Sequence, residues 1–171
     1  MKVDKTKLDN VLQLTLDPFE DHRGWYVEMY NEKKYHEAGI DLKFVEDDVS
    51  ITMQHCLKGI HGDQDTWKLV SCLQGSFYLV IVNNDPKHKQ FRQWQGFTLS
   101  DRNKIQILVP PKFGNGHLAI TEQTIFYYKQ SSYYNPKGQF TIKWNDPEYN
   151  IWWPIKKPIL SRRDEIGKFV D

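Results

Sequence analysis

Proton transfer near neutral pH is the first chemistry that the side chains of this 171-residue chain suggest, because it carries six histidines. Histidine is the side chain whose unperturbed pKa lies in that range. His22, His36 and His88 lie in polar stretches and read as solvated, whereas His55, His61 and His117 stand in or beside strand-like runs. His61 follows Gly59-Ile60 and precedes Gly62-Asp63, so small residues flank it and leave room for a ligand beside the imidazole. A metal centre would need two or three converging histidines with a carboxylate. Here only Asp63 and His117 offer themselves, and the reading is a site without metal. Lys68 has apolar neighbours in Thr66-Trp67-Lys68-Leu69-Val70, and a lysine in such a strand belongs by default on the solvated face. Tyr127 and Tyr128 point to opposite faces by strand alternation, so one faces the interior. A buried phenol needs a polar partner or a ligand. A base on one side of a cavity and a phenol on the other could move protons at carbon, although spacing alone does not place them there.

The elements that must position these groups read as many short strands. Val11–Leu16 and Trp25–Tyr30 alternate, and further strand candidates are Thr66–Leu73, Ser76–Asn83, Gln90–Leu99, Lys104–Val109, Thr124–Gln130 and Phe140–Trp144. One helix is expected over Asn31–Ala38, capped by Asn31 and stopped by Gly39. Turn signals separate the strands at Gln74-Gly75, Asn83–Pro86, Ser100–Asn103, Gly114-Asn115-Gly116 and Asn135–Gly138. Short strands at a spacing of roughly 8–12 residues with little helix predict an all-β antiparallel sandwich or jelly-roll barrel. Residues 147–171, with Pro154 and Pro158, read as an extended segment lying over the barrel, in which Trp152-Trp153 packs.

Composition narrows the partners. The length suits one domain over residues 1–171. With 23 Lys and Arg against 22 Asp and Glu, the net charge is +1, which argues against a dedicated nucleic-acid binder. No apolar run approaches the ~18 residues of a membrane helix, and no apolar stretch of signal-peptide type follows Met1–Lys7. The two cysteines, Cys56 and Cys72, are too few for a disulfide framework. The expectation is a reduced, soluble, cytoplasmic protein. Aromatics reach 14%; most belong in the core, and the remainder suit stacking on bases and sugars.

Several blocks are informative together: Asp21-His22-Arg23-Gly24-Trp25-Tyr26-Val27-Glu28, Lys58-Gly59-Ile60-His61, Lys68-Leu69-Val70 with Gly75, and Pro110-Pro111-Lys112-Phe113-Gly114-Asn115-Gly116. The series continues through Tyr128–Tyr134, Trp144-Asn145-Asp146-Pro147, Ile151-Trp152-Trp153-Pro154 and Leu160-Ser161-Arg162-Arg163-Asp164. In content and order these blocks resemble the dTDP-4-dehydrorhamnose 3,5-epimerase family. The resemblance implies a cupin-type jelly roll, a homodimer that exchanges strands near the N-terminus, and inversion of C3 and C5 of a nucleotide-linked 4-keto-6-deoxyhexose without metal or organic cofactor. By the same resemblance His61 is the general base, Asp164 orients it, Lys68 stabilises the enolate oxygen, and Tyr128 is the acid on the opposite face. Arg23 and Glu28 would contact the nucleotide across the dimer, while Phe19 and Tyr134 would flank its base.

The residue types suit those roles. Removing a proton beside a ketone requires stabilisation of the oxyanion as it develops. The base must be neutral near pH 7 and held in one tautomer. Inversion needs a donor on the far face. Four positions depart from the family pattern around the expected site. Lys58 replaces an Arg, which changes diphosphate or sugar contacts because lysine is a point charge. Asp48 replaces an Asn ahead of the matching Ser50, His55 replaces a Gly and is placed on the strand face of His61, and Asn115 replaces a His with His117 two residues on. Gly62-Asp63 and Phe113–His117 resemble the branch acting on capsule and lipopolysaccharide sugars, which includes GDP-linked 4-keto heptoses and enzymes that invert only C3. The substrate therefore stands as a dTDP-, GDP- or CDP-linked sugar. The alternatives are a C3-only epimerase, a 3,4-ketoisomerase on the same scaffold, and a non-catalytic sugar-nucleotide-binding cupin.

Overall fold

A computed structural model describes residues 1–168. Its elements in chain order are β1 (Lys2–Lys5), β2 (Leu12–Thr15), β3 (Phe19–Asp21), β4 (Gly24–Tyr26), α1 (Glu32–Glu37), β5 (Glu46–Met53), β6 (Leu57–Gly62) and β7 (Lys68–Gln74). They continue with β8 (Ser76–Asn83), β9 (Trp94–Ser100), β10 (Ile105–Val109), β11 (Phe113–Ala119), β12 (Gln123–Gln130), β13 (Phe140–Thr141) and α2 (Arg162–Ile166). The strands form a six-stranded sheet, β1-β2-β10-β7-β12-β5, a five-stranded sheet, β13-β6-β11-β8-β9, and a separate β3–β4 hairpin. Every strand pair within these sheets is antiparallel. The all-β jelly roll expected from strand spacing is the fold observed.

The core lies between the two large sheets. Val70, Ile107 and Phe126 of the first meet Phe77, Leu79, Ile81 and Leu99 of the second. Alternation sends Val80 and Val82 to the other face of β8, where they join Leu57, Ile60, Ile142 and Trp153 under the C-terminal segment. Leu69 and Leu108 likewise turn outward beneath Tyr35 and Ile40, next to α1. The central strands are covered on both faces, which explains why Phe77–Val82 reads as a continuous apolar run rather than an alternating one.

Helix α1 forms where its caps place it, with the Asn31 side chain accepting from the Lys34 backbone N–H. Other expectations need correction. Trp25–Tyr30 keeps strand geometry only to Tyr26. The Gly114-Asn115-Gly116 turn lies inside β11. These glycines serve close packing: a Cβ on Gly114 would sit 2.5 Å from Ile60 Cγ2, and one on Gly59 (φ +123°) would sit 2.5 Å from Gly116 Cα. Strand β7 starts at Lys68 because Asp63 Oδ1 accepts from the backbone N–H groups of Asp65 and Thr66 and holds a turn there. His55 has φ +66° in the exposed turn between β5 and β6, not on the strand face of His61. The C-terminal segment is extended and packs by Trp153, whose Nε1 donates to the Trp144 carbonyl, but it also contains α2, which sequence pattern did not suggest. Its last residues, 169–171, lie outside the described residues. Among the described residues no helix is long and apolar enough to cross a membrane.

Candidate active site

One cavity of about 200 Å³ collects most of the sequence-nominated residues: Ser50, Lys58, His61, Lys68, Asn115, His117, Tyr128 and Tyr134 all line it. These come from both large sheets and from the loop after β12, so the cavity is a product of sheet packing rather than of any one motif.

His61 reaches it from β6, paired across the ladder with Asn115 on one side and Thr141 on the other. Its Nε2 lies 2.6 Å from Asp164 Oδ1. Asp164 is 2% exposed, and its second oxygen accepts from the Ser161 hydroxyl at 2.8 Å. The local sequence builds this partner. Ser161 caps α2 by accepting from the Asp164 backbone N–H, and Gly167, at φ +71°, ends the helix in the left-handed conformation. Burial opposes the Asp164 charge, yet the His61 imidazole, the Ser161 hydroxyl and the Gly59 backbone together hold its carboxyl below the usual range. A charged carboxylate on one nitrogen fixes the imidazole orientation and leaves the other nitrogen for the cavity.

Lys68 overturns its default placement. It is 9% exposed, faces inward, and its Nζ stands 3.5 Å from buried Asp63 Oδ2. Burial lowers its pKa, while the neighbouring Asp63 and Asp48 carboxylates pull it back up. Tyr128 is the inward member of the tyrosine pair and packs 5.5 Å from the Phe126 ring. Burial, with the negative Asp48 and Glu46 nearby, raises its pKa, so the phenol stays protonated. A neutral acid, a buried cation and an imidazole backed by a carboxylate therefore share one cavity.

The remaining nominated residues divide. Lys58 Nζ donates to Ser50 Oγ at 2.7 Å and to the Ile51 carbonyl at 3.1 Å, placing its charge at the cavity edge. Asn115 Oδ1 is buried and has no hydrogen-bond partner among the described residues. Asp48 is not among the lining residues but sits directly behind them, accepting from the lining residue Gln130 at 2.9 Å. Tyr134 is 55% exposed at the rim. Phe19, Arg23 and Glu28 do not reach the cavity in a single chain. Phe19 is 65% exposed on the β3–β4 hairpin, Arg23 Nη2 pairs with Asp21 at 2.6 Å, and Glu28 pairs with Lys34 at 2.6 Å. Sequence reasoning did not nominate Gln130, Gln139 and Arg163, which also line the cavity. Gln130 and Arg163 lie inside the blocks that carry the resemblance, so their proximity to Tyr128 and Asp164 was the available signal. Among the described residues, no group of three or more His, Cys, Asp or Glu side chains is disposed to hold a metal ion.

His117 is buried rather than presented to solvent. It stacks on Phe126 at 4.2 Å and shares a 3.1 Å hydrogen bond with Thr52 Oγ1. Burial, reinforced by the positive charge of Lys58, pushes its pKa down from 6.5 to about 3. Between those values the unfolded chain binds a proton that the folded chain does not, so stability falls as pH falls. We expect His117 alone to remove ~2 kcal/mol of folding stability on going from pH 7 to pH 5. Urea unfolding at the two pH values checks this: the drop should be smaller by that amount in H117Q, and an equal drop in both proteins would contradict it.

The chain and its fold have known relatives. A family model described as dTDP-4-dehydrorhamnose 3,5-epimerase matches residues 5–171. The chain is 35% identical over 176 residues to the dTDP-4-dehydrorhamnose 3,5-epimerase of Shigella flexneri, an alignment covering 100% of this chain and 97% of the relative. The Bacillus anthracis dTDP-4-dehydrorhamnose 3,5-epimerase, solved with TDP and PPi bound, superposes with a TM-score of 0.93 at 35% identity over 99% of both chains. The Legionella pneumophila dTDP-6-deoxy-D-glucose-3,5-epimerase, in complex with dTDP-4-keto-L-rhamnose, gives a TM-score of 0.92 at 33% identity, covering 98% of this chain and 91% of that one.

Proposed function

Because this chain belongs to the dTDP-4-dehydrorhamnose 3,5-epimerase family, an isomerase-class family acting on nucleotide sugars, we propose that it inverts C3, alone or with C5, of a nucleotide-linked 4-keto-6-deoxy sugar by proton transfer through an enolate. One observation carries the mechanism: the His61–Asp164 pair, joined at 2.6 Å, shares a cavity with buried Lys68 and Tyr128. His61 takes the proton next to the ketone, and Asp164 stabilises the imidazolium that forms. Negative charge moves to the ketone oxygen, where the Lys68 ammonium meets it in a largely desolvated site and is worth more than it would be in water. Tyr128, kept protonated by burial, delivers a proton to the opposite face of the carbon. The C–H bond lost on one face is replaced by one on the other, and the configuration inverts.

The rest of the cavity suits the substrate's polar end. Lys58 supplies a cation for a diphosphate, Ser50, Asn115 and His117 line the space between, and Tyr134 at the rim offers a ring to a base. In a homodimer, the exposed β3–β4 hairpin would carry Phe19 and Arg23, with Glu28 close behind, to the nucleotide in the partner's cavity. The similar structures hold TDP and a dTDP sugar, which makes dTDP the first nucleotide to try, with GDP and CDP alongside.

The test is solvent exchange. Incubated in D₂O with dTDP-, GDP- and CDP-linked 4-keto-6-deoxyhexoses, the protein should place deuterium at C3, and also at C5 if both centres invert, as read by proton NMR. Deuterium confined to C3 selects the C3-only epimerase, and migration of the keto group selects the ketoisomerase. Absence of label from both carbons with every donor would refute the epimerase reading.

A further inference from the structure

We infer that Asp63 is a positioning residue for Lys68, holding its ammonium toward the ketone oxygen while that oxygen gains charge. The inference rests on the epimerase reading above and deepens it. Asp63 lies in the loop between β6 and β7, two residues after His61, and is buried. Its backbone carbonyl accepts from the Lys112 N–H at 2.8 Å, which pins this loop to the turn ahead of β11. The two carboxylate oxygens then divide the work. Oδ1 accepts from the backbone N–H groups of Asp65 at 3.1 Å and Thr66 at 2.7 Å, and so shapes the turn into β7. Oδ2 is turned to two residues of the cavity wall, with Lys68 Nζ at 3.5 Å and Gln139 Nε2 at 3.4 Å. A carboxylate offers about four lone-pair sites, and here each has a donor facing it. One oxygen serves the backbone, and the other serves the reaction cavity.

Lys68 needs such a partner. An ammonium on a flexible four-carbon stem does not aim itself, and a buried lysine with no carboxylate beside it gives up its proton. The neutral amine would then meet the enolate without a charge to offset it. Among the described residues Lys68 forms no other ion pair, so Asp63 is the group that both locates the ammonium and keeps it charged. The other charged or titratable groups facing Lys68 are Asp48 from β5 and Arg163 from α2. Across the cavity stand Lys58 and His61 of β6, His117 of β11, Tyr128 of β12 and Tyr134 after it. Burial and Arg163 push the Lys68 pKa down, and the Asp63 carboxylate is the largest influence pulling it back up.

The experiment measures kcat, KM and deuterium exchange for wild type, D63N, D63E, K68Q and D63N/K68Q on whichever 4-keto nucleotide sugar the wild type turns over. Asparagine keeps the oxygen that the Asp65 and Thr66 N–H groups need, but it puts an amide nitrogen where Oδ2 stood. Gln139 can turn its carbonyl to that nitrogen; the Lys68 ammonium has no such option. D63N should therefore keep its fold and KM, while kcat and exchange fall by about tenfold, less than the 10²–10³-fold typical of losing an oxyanion donor outright. The alkaline limb of kcat should move to lower pH in D63N and return in D63E, which keeps the charge. On top of K68Q, D63N should cost about twofold or less, because a residue acting through Lys68 then has nothing to act on. Wild-type kcat with an unmoved limb in D63N overturns the role of Asp63, and so does an undiminished D63N effect in the K68Q background. Should D63N not fold, D63E decides: a wild-type limb upholds the role, and a limb displaced despite the retained charge overturns it. Absence of any exchange by wild type overturns the epimerase reading itself, and this one with it.

Discussion

Asparagine at position 61 should leave a folded protein whose exchange and inversion are both slower by about 10²–10⁴-fold, the usual contribution of a general base. The choice of substitution follows from the site. Asp164 is 2% exposed, and removing its partner outright would strand a buried charge, which is strongly destabilising. The asparagine amide can still donate toward Asp164, and Ser161 continues to hold the second oxygen. Thermal unfolding should therefore stay close to wild type while solvent exchange at C3 slows by that factor. Exchange within a few-fold of wild type would remove His61 from the role of base. Loss of folding in H61N would instead mean that the pair is a structural element, and the D₂O assay on the soluble fraction separates the two.

Phenylalanine at position 128 should divide the reaction. The ring stays against Phe126 and the core, so packing is retained. The far-face donor is gone, and inversion should fall by at least about 10²-fold. Proton removal by His61 remains, so deuterium should still enter with retained configuration at a rate within several-fold of wild type. This asymmetry is the signature of a two-sided mechanism: one group removes, the other returns. If Y128F loses exchange and inversion in equal measure, Tyr128 serves substrate binding and the far-face donor is another group.

What could be read in the chain before folding was mostly local. The N-cap at Asn31 and the run Ser76–Asn83 announce α1 and β8, because caps and strand propensity act within a few residues. The glycines of Gly114-Asn115-Gly116 misled, since a glycine that permits a turn and one that permits close strand contact look the same until Ile60 and Gly59 are seen opposite. Lys68 misled for a related reason. Its apolar neighbours predicted a strand, but the stabilising Asp63 carboxylate comes from the loop before it, and burial of the ammonium depends on that contact. Tyr128 was legible as one of two candidates, and only sheet packing chose between it and Tyr127.

By itself, then, the sequence determined an all-β chain with a histidine in a glycine-flanked strand, an inward phenol and an ordered series of blocks that match one epimerase family. Those are properties of alternation, turn chemistry and motif order, which a linear string carries in full. Tertiary structure alone decided which groups meet. His61 and Asp164 lie 103 residues apart and touch only because α2 folds back beside β6. It also placed Phe19, Arg23 and Glu28 away from the cavity of their own chain, buried His117 deeply enough to keep it neutral, and set Asp48 across the ladder from Tyr128. Proton transfer depends on distance and desolvation, and both are set by packing between segments that are far apart in the chain.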